Sequence, residues 1–570
     1  MPEERTKRGR PRQEDELVFL ALGGLGEIGM NAYLYGIGPP DARKWLMVDL
    51  GITFPEGEDD PGIDVIFPDL RFIEEERGAL AGLVITHAHE DHIGAVIELW
   101  PRLGVPVYAT PFTAGMLKAK LAEFGGRLQI PIREVPLNGR FDVGPFDVEL
   151  VEMSHSIPES SALAIRTPLG LVLHTGDWKN DPTPLIGGKP DAARLTALGD
   201  EGVLAVMGDS TNATREGRSP SEREVAKSLA EIIKAAPHRV AVTTFASNVA
   251  RIKAVADATR AAGRELVVAG RAMHRAISVA IDTGYLPEGF RYHDQQRFSE
   301  LKRSDVVCLC TGSQGEPRAA MARMAENEHP EIGLDRGDLV IFSSRTIPGN
   351  EKAVGYIQNG LVRMGVNVLT DNDALVHVTG HPRRDELREL YTWTRPRILV
   401  PMHGEAMHLK AHAELARDIG IPEVQIAYNG EMVRLAPGPV RIVDDAPVGR
   451  LFRDGRLIVP SGEGPVRERR KLANVGIVVV ALTLSRKGAV MAEPRVVLDG
   501  VPYEDEDGEP MDEIVLSAIE GTLRSIPSDR RRDTEMVGEA TRRAVRSAVA
   551  DAWGKKTVVK VLVSVVEGKG

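Results

Sequence analysis

Between Thr86 and His92 the chain reads THAHEDH, directly after the apolar run LVI. Few short segments restrict a fold so tightly. Three histidines and a carboxylate this close together are hard to place in a packed interior, because each buried imidazole needs a hydrogen-bond partner. His87 and His89 alternate, so on extended backbone they point the same way. Asp91 and His92 open the next helix, whose first turn swings them toward the same space. Neutral imidazoles with a carboxylate suit Zn²⁺; Mn²⁺ and Mg²⁺ are less favoured by that donor set. The bland alternative is a solvated loop, and the density of ligand atoms speaks against it.

One short segment cannot satisfy two ions, so further donors are expected at other strand ends. His155 in EMSHSIPES, Asp177 in LVLHTGDWK and His403 in ILVPMHGE are the candidates. A lone residue of this kind is ordinarily structural. Here each follows an apolar run, as the first cluster does. His174, within the strand end before Asp177, is read instead as a hydrogen-bonded core histidine.

At 570 residues the chain predicts two to four domains. Hydrophobic residues at 42% and charged ones at 27% match an ordinary globular protein and exclude wholesale disorder. The net charge of −11 excludes a bulk electrostatic glove for a polyanion, so such a partner needs a local basic channel or metal ions. Cys308 and Cys310 are the two cysteines, which excludes a four-cysteine zinc module and fits a reducing compartment. No apolar stretch follows the basic residues at the N-terminus, and the longest apolar run, 475–484, is about half a bilayer span. The expectation is a soluble, cytoplasmic protein with no membrane partner.

Residues 1–16, with five basic residues between Arg5 and Arg12, predict a disordered basic tail. From 17 to 218, short apolar runs end in Gly, Asp and His, as strands ending in loops do. From 219 to 373 strands and amphipathic helices alternate, with Ser221 a natural N-cap for SEREVAKSLAEIIKAA, and this predicts a parallel α/β domain. Residues 374–440 return to the first texture, as an inserted domain splitting the first would require. Prolines 437, 439, 447, 460 and 465 and the basic RERRK cluster mark 441–471 as a linker, or a linker around a small hairpin. Residues 472–570 predict a small α+β domain.

Taken in order, the His-x-His-x-Asp-His run, the early GGLGEIGMN and VDLG segments, GDSTNATREGRSPSE, TTFASNVARI, TGSQGEP, FSSRTIPGNE and HVTGH carry a resemblance. The chain resembles the β-CASP nucleases of the metallo-β-lactamase superfamily, and among them the bacterial ribonuclease J family, over roughly residues 17–570. The resemblance implies a metallo-β-lactamase αββα sandwich interrupted by an inserted α/β β-CASP domain, plus the small C-terminal domain. It implies His87, His89 and His155 on one ion, Asp91, His92 and His403 on the other, and Asp177 bridging both. It also implies catalytic roles for Asp209 and His381. Phe245, Ala246 and Ser247, with His377, Val378, Thr379, Gly380 and His381, fall where the family grips substrate phosphates.

Two Zn²⁺ per chain would acidify water and neutralise charge on a phosphodiester. The implied activity is 5′→3′ exonucleolytic hydrolysis of single-stranded RNA with a preference for 5′-monophosphate ends, plus endonuclease cleavage, by a homodimer or homotetramer. Three alternatives stand beside it: a β-CASP nuclease acting on DNA, a small-molecule metallo-hydrolase of the same fold, and a silent RNA-binding subunit.

Overall fold

Strands covered on both faces read as nearly continuous apolar runs. ELVFLALG (Glu16–Gly23), AYLYGIG (Ala32–Gly38), KWLMV (Lys44–Val48) and LAGLV (Leu80–Val84) are of this kind and are almost wholly buried. The computed structural model describes residues 14–55, 60–125, 128–347, 349–462 and 464–566. In it these four strands are the centre of an eight-stranded sheet. A second sheet of seven strands includes Phe146–Glu152, Ser161–Thr167, Gly170–His174, Val203–Asp209 and Ile398–Met402.

The two sheets share one core. Phe19, Tyr35, Leu46 and Val84 from the first meet Leu150, Ile165, Val172 and Val400 from the second. Behind the second sheet, Leu173, Val206 and Leu399 pack on Leu198, Leu390 and Leu415 of the helices Ala192–Glu201, Arg384–Thr394 and Ala406–Asp418. The result is the expected αββα sandwich.

Val203–Asp209 and Ile398–Met402 are parallel neighbours, with Asp209 opposite Met402. Between these two strands the chain leaves the sandwich and builds a six-stranded, all-parallel sheet centred on Val240–Thr243, Val306–Cys310 and Leu339–Phe342. Helices such as Glu222–Ala235 and Val249–Ala261 belong to this inserted domain. Ser221 caps the first of them in a box with Glu224. Cys308 and Cys310 are free thiols in the core of this domain.

A buried ionic network joins the insertion to the sandwich. Lys179 Nζ lies 3.0 Å from Asp181 Oδ2 and 4.0 Å from Glu222 Oε1. Glu222 Oε2 accepts a 2.9 Å bond from Arg251, which also donates to the carbonyls of Ser343 (3.1 Å) and Val376 (2.7 Å). All four charged residues are at most 2% exposed.

The C-terminal unit, which begins at Asp454 in sequence, has its own core. Its three-stranded sheet (Arg495–Asp499, Ile477–Ser485, Val558–Val566) is covered on one face by the helices Met511–Ser525 and Thr534–Trp553.

Two expectations need correction. The stretch 441–471 is not simply a linker: it contains the strands Arg441–Asp445, Arg450–Asp454 and Leu457–Pro460 and the helix Pro465–Val475. Pro460 ends a strand and Pro465 starts a helix at its first position, where proline is well tolerated. Arg469 of the RERRK cluster is held by Asp454 through two bonds of 3.0 and 2.7 Å. The predicted basic tail lies almost entirely outside the described residues. Its last member, Glu16, instead opens the first strand, because its carboxylate pairs with Arg43 at 2.7 Å and Arg434 at 3.2 Å. Among the described residues no helix is long and apolar enough to cross a membrane.

Removing one member of a buried ion network leaves its partners uncompensated, at a cost of about 3 kcal/mol. Glu222→Gln is therefore expected to lower the urea midpoint of the full chain by a corresponding amount. An unchanged midpoint would show that the network does not hold the two domains together.

Candidate metal centre and active site

Each candidate ligand leaves the carboxyl end of a strand, where open sheets place their sites. His87 follows Leu80–Val84, His155 follows Phe146–Glu152, Asp177 follows Gly170–His174, and His403 follows Ile398–Met402. Asp209 ends its own strand. Parallel pairing of the last strand with Val203–Asp209 brings His403 out beside Asp209 although 194 positions separate them in numbering, 403 minus 209.

Two groups of ligand atoms result. His87, His89, His155 and Asp177 form one; Asp91, His92, Asp177 and His403 form the other. In each, the ligand atoms lie within 4.8 Å of one another. All seven sequence-predicted ligands are thus brought together, and Asp177 belongs to both groups. Its Oδ2 lies 3.8 Å from His87 Nε2, 3.3 Å from His92 Nε2, 3.9 Å from His155 Nε2 and 3.4 Å from His403 Nε2.

Outer hydrogen bonds set which ring nitrogens face inward. Thr86 donates its hydroxyl to Asp49 Oδ2 at 2.8 Å, so its oxygen accepts from His87 Nδ1 at 3.0 Å. His155 Nδ1 donates to the Gly380 carbonyl at 2.7 Å. Both residues therefore present unprotonated Nε2 atoms, each 3.1 Å from His89 Nδ1. In the second group His92 Nδ1 is 2.7 Å from Asp49 Oδ2, and His403 Nδ1 donates to Asn31 Oδ1 at 2.9 Å. The Asn31 amide nitrogen spans the Asp91 carbonyl (3.0 Å) and His92 Nε2 (3.0 Å).

Converging lone pairs on neutral rings repel one another unless a cation lies among them. Burial pushes His87, His89 and His155 down, His89 to about 4, which keeps them in the ligand form. Asp177 is held well below the usual carboxylate range: burial opposes this, but His403, His92 and His381 outweigh it. Its Oδ1 is buried without a hydrogen-bond partner among the described residues. These donors fit divalent cations, and the imidazole-rich set is of the kind zinc takes. Supporting bonds like those from Asp49, Asn31 and Gly380 orient ligands in metal sites generally.

Asp209 and His381 form a third group with Asp177. Asp209 Oδ2 lies 2.8 Å from His381 Nδ1, while its Oδ1 accepts from the Thr211 N–H at 3.0 Å. His381 is pushed up to about 9: burial opposes the shift, but Asp209 and Asp177 outweigh it. Thr379 Oγ1 accepts from Asn212 at 2.8 Å and from the His381 N–H at 3.2 Å, which fixes the loop before His381. Val378 is buried, and His377 is half-buried with Nδ1 lacking a hydrogen-bond partner among the described residues. Phe245, Ala246 and Ser247 form a half-buried turn before the helix Val249–Ala261. Among the described residues no hydrogen bond joins that turn to the histidine cluster. His174 lies in the core, bonded to Tyr35 at 2.9 Å, outside both ligand groups.

Family models match along most of this architecture. The metallo-beta-lactamase superfamily matches residues 26–205, and the ribonuclease J beta-CASP domain matches 237–361. The Zn-dependent metallo-hydrolase RNA specificity domain matches 365–426, and the ribonuclease J C-terminal domain matches 464–566. Ribonuclease J of Sinorhizobium meliloti is 53% identical over 97% of this chain and 98% of its own length. The chain belongs to the ribonuclease J family. Other members are further away in sequence: ribonuclease J of Thermus thermophilus is 38% identical over 84% of both chains, and that of Corynebacterium glutamicum 38% over 95% of this chain and 75% of its own. A crystal structure of a protein of unknown function from Enterococcus faecalis shares the fold, with a TM-score of 0.50 at 16% identity, covering 74% of this chain and all of that one. As a member of the metallo-beta-lactamase superfamily, the ribonuclease J fold carries a divalent metal and hydrolytic chemistry.

Sequence reading does not single out Asn31 or Asp49. The signals for them are faint: Asp49 directly follows the apolar strand Lys44–Val48 and has a left-handed φ of 59°, and Asn31 directly precedes the strand Ala32–Gly38. Gly380 has a readable cause only in the structure, because a Cβ there would sit 2.3 Å from His155 Cε1. Gly380→Ala is expected to push His155 aside and weaken metal binding about 10- to 100-fold, the usual effect of disturbing a group that orients a ligand. Chelator competition checks this, and wild-type retention of metal would refute it.

Proposed function

We propose that this chain is a two-metal ribonuclease that hydrolyses phosphodiesters of single-stranded RNA. The observation that carries the reading is the pair of donor groups sharing Asp177, in a chain of the ribonuclease J family. His87, His89, His155 and Asp177 would hold one Zn²⁺, and Asp91, His92, His403 and Asp177 the other. Bound there, a pair of divalent ions supplies an acidified water and neutralises charge on the reacting phosphate.

The remaining work falls to this chain's own side chains. Asp209 Oδ2 holds His381 Nδ1 at 2.8 Å, so Nε2 is the atom left to carry a mobile proton. The Asp209 and Asp177 carboxylates raise the proton affinity of His381, to about 9, which suits it to protonate a leaving 3′ oxygen. Thr379 and Asn212 keep the ring's loop in place. The half-buried hydroxyl of Ser247 and the turn 377–381 are suited to take a 5′-terminal phosphate, which accounts for stepwise 5′→3′ removal of nucleotides; internal cleavage is the second activity. Two free buried thiols agree with a cytoplasmic enzyme, and the reading includes assembly as a homodimer or homotetramer.

The test is product analysis on one RNA sequence carrying a 5′-monophosphate or a 5′-hydroxyl, with the same sequence as DNA alongside. Mononucleotides from the phosphorylated RNA are expected. Cleavage confined to DNA, or none at all, would overturn the reading. His89→Ala and Asp91→Ala are each expected to abolish cleavage while leaving the circular dichroism spectrum unchanged, and full turnover in either variant removes the two-metal assignment. Ser247→Ala is expected to narrow the rate ratio between the two RNA ends; an unaltered ratio excludes that hydroxyl from the terminal-phosphate pocket.

A further inference from the structure

Three arginines outside the ligand set, Arg215, Arg345 and Arg383, are carried by loops that meet along the stretch 376–384 around His381. Arg383 lies two residues beyond it in sequence. Arg215 sits on the loop 210–219, which is stitched to that same stretch. Asn212 donates to the His381 carbonyl at 3.2 Å, Ser219 Oγ donates to it at 3.1 Å, and Arg384 N–H donates to the Arg215 carbonyl at 3.0 Å. Arg345 arrives from the inserted domain. Ser343, just before it, donates to the Val376 carbonyl at 2.6 Å, next to His377. Gln314 fixes the loop by donating to the Arg345 carbonyl at 2.8 Å and accepting from the Ile347 N–H at 2.8 Å.

Arg345 and Arg383 are both close enough to act on Arg215. Burial and then the charges of Arg345 and Arg383 lower the proton affinity of Arg215. Among the described residues none of the three has an ion-pair partner, and Asp371 acts on Arg215 only from beyond that range. Their neighbours differ: Arg384 pairs with Glu216 at 2.8 Å, Arg388 with Asp385 at 2.7 Å, and Arg218 with Glu389. Among the described residues Arg383 Nε is buried with no hydrogen-bond partner. In a chain of 82 acidic and 71 basic residues, three unpaired arginines side by side are not explained by a shortage of carboxylates. Like charges held together without a counter-charge are unfavourable, and a guanidinium fork matches the oxygens of a phosphate.

We propose that Arg215, Arg345 and Arg383 together bind a phosphate of the RNA backbone beside the reacting one, an assignment that rests on the ribonuclease reading above. Arg345 comes from the insertion, whereas Arg215 and Arg383 belong to the two parts of the sandwich that flank it. The bound phosphate therefore touches both domains at once.

The test uses the full-length, metal-loaded protein and a short phosphorothioate RNA that resists cleavage, with binding read by fluorescence anisotropy over a range of KCl. Arg345→Gln with Arg383→Gln is expected to weaken binding about tenfold and to flatten the slope of log K against log salt by about 0.7 for each phosphate no longer neutralised. Arg345→Lys, which keeps the charge, is expected to retain the slope. Parallel 5′-monophosphate and 5′-hydroxyl strands separate the sources: equal weakening on both assigns the site to an internal phosphodiester, and weakening confined to the first assigns it to the terminal phosphate. Affinity and slope unchanged in the double variant, with wild type binding normally, overturn the arginine site alone. A wild type that binds no RNA overturns the ribonuclease reading with it.

Discussion

The Asp177 carboxylate is the group on which the rest of this structure depends. Five histidines from four separated stretches surround its Oδ2 at 3.3 to 3.9 Å. Such an arrangement is electrostatically costly to bury unless charge is balanced within it. Balance is supplied from outside inward. Asp49, Asn31, Thr86 and the Gly380 carbonyl engage the outer Nδ1 atoms of His92, His403, His87 and His155, and the inner Nε2 atoms of His87 and His155 are left bare. The cluster is thus organised before any substrate arrives, which is the condition under which electrostatic stabilisation is most effective.

The same loops serve two purposes. Gly380 accepts from His155 through its carbonyl while its neighbour His381 pairs with Asp209. Glu386, buried at the start of the next helix, accepts from the N–H groups of Asn180, Ser219 and Arg383. One carboxylate therefore holds the backbone just after Asp177, just after the 210–218 loop and just after His381. Residues that would bind metal and residues that would meet substrate are positioned by shared hydrogen bonds, so displacing one set disturbs the other.

Much of the fold and the ligand set is legible without coordinates, for a physical reason. Imidazoles and carboxylates at strand ends are chemically conspicuous, and apolar runs declare buried strands. His87, His89, Asp91, His92, His155, Asp177 and His403 stand out in that way, and they do converge. Residues whose role comes from a distant partner carry no such mark. Asn31 acts on His403, Asp49 on His92, and Glu222 on Arg251, and nothing in the local sequence announces those pairings. The stretch 441–471 reads as a tether because of its prolines, yet proline is as much at home at the ends of strands and in the first turn of a helix.

The site of the insertion has a consequence for how such a protein can change over time. Val203–Asp209 and Ile398–Met402 are hydrogen-bonded parallel neighbours about 4.8 Å apart, so the chain leaves at the carboxyl end of one strand, beside the ligands, and re-enters the sheet at the amino end of the next. Because the register between these two strands is fixed by their own pairing, the segment between them can lengthen or shorten without shifting either strand.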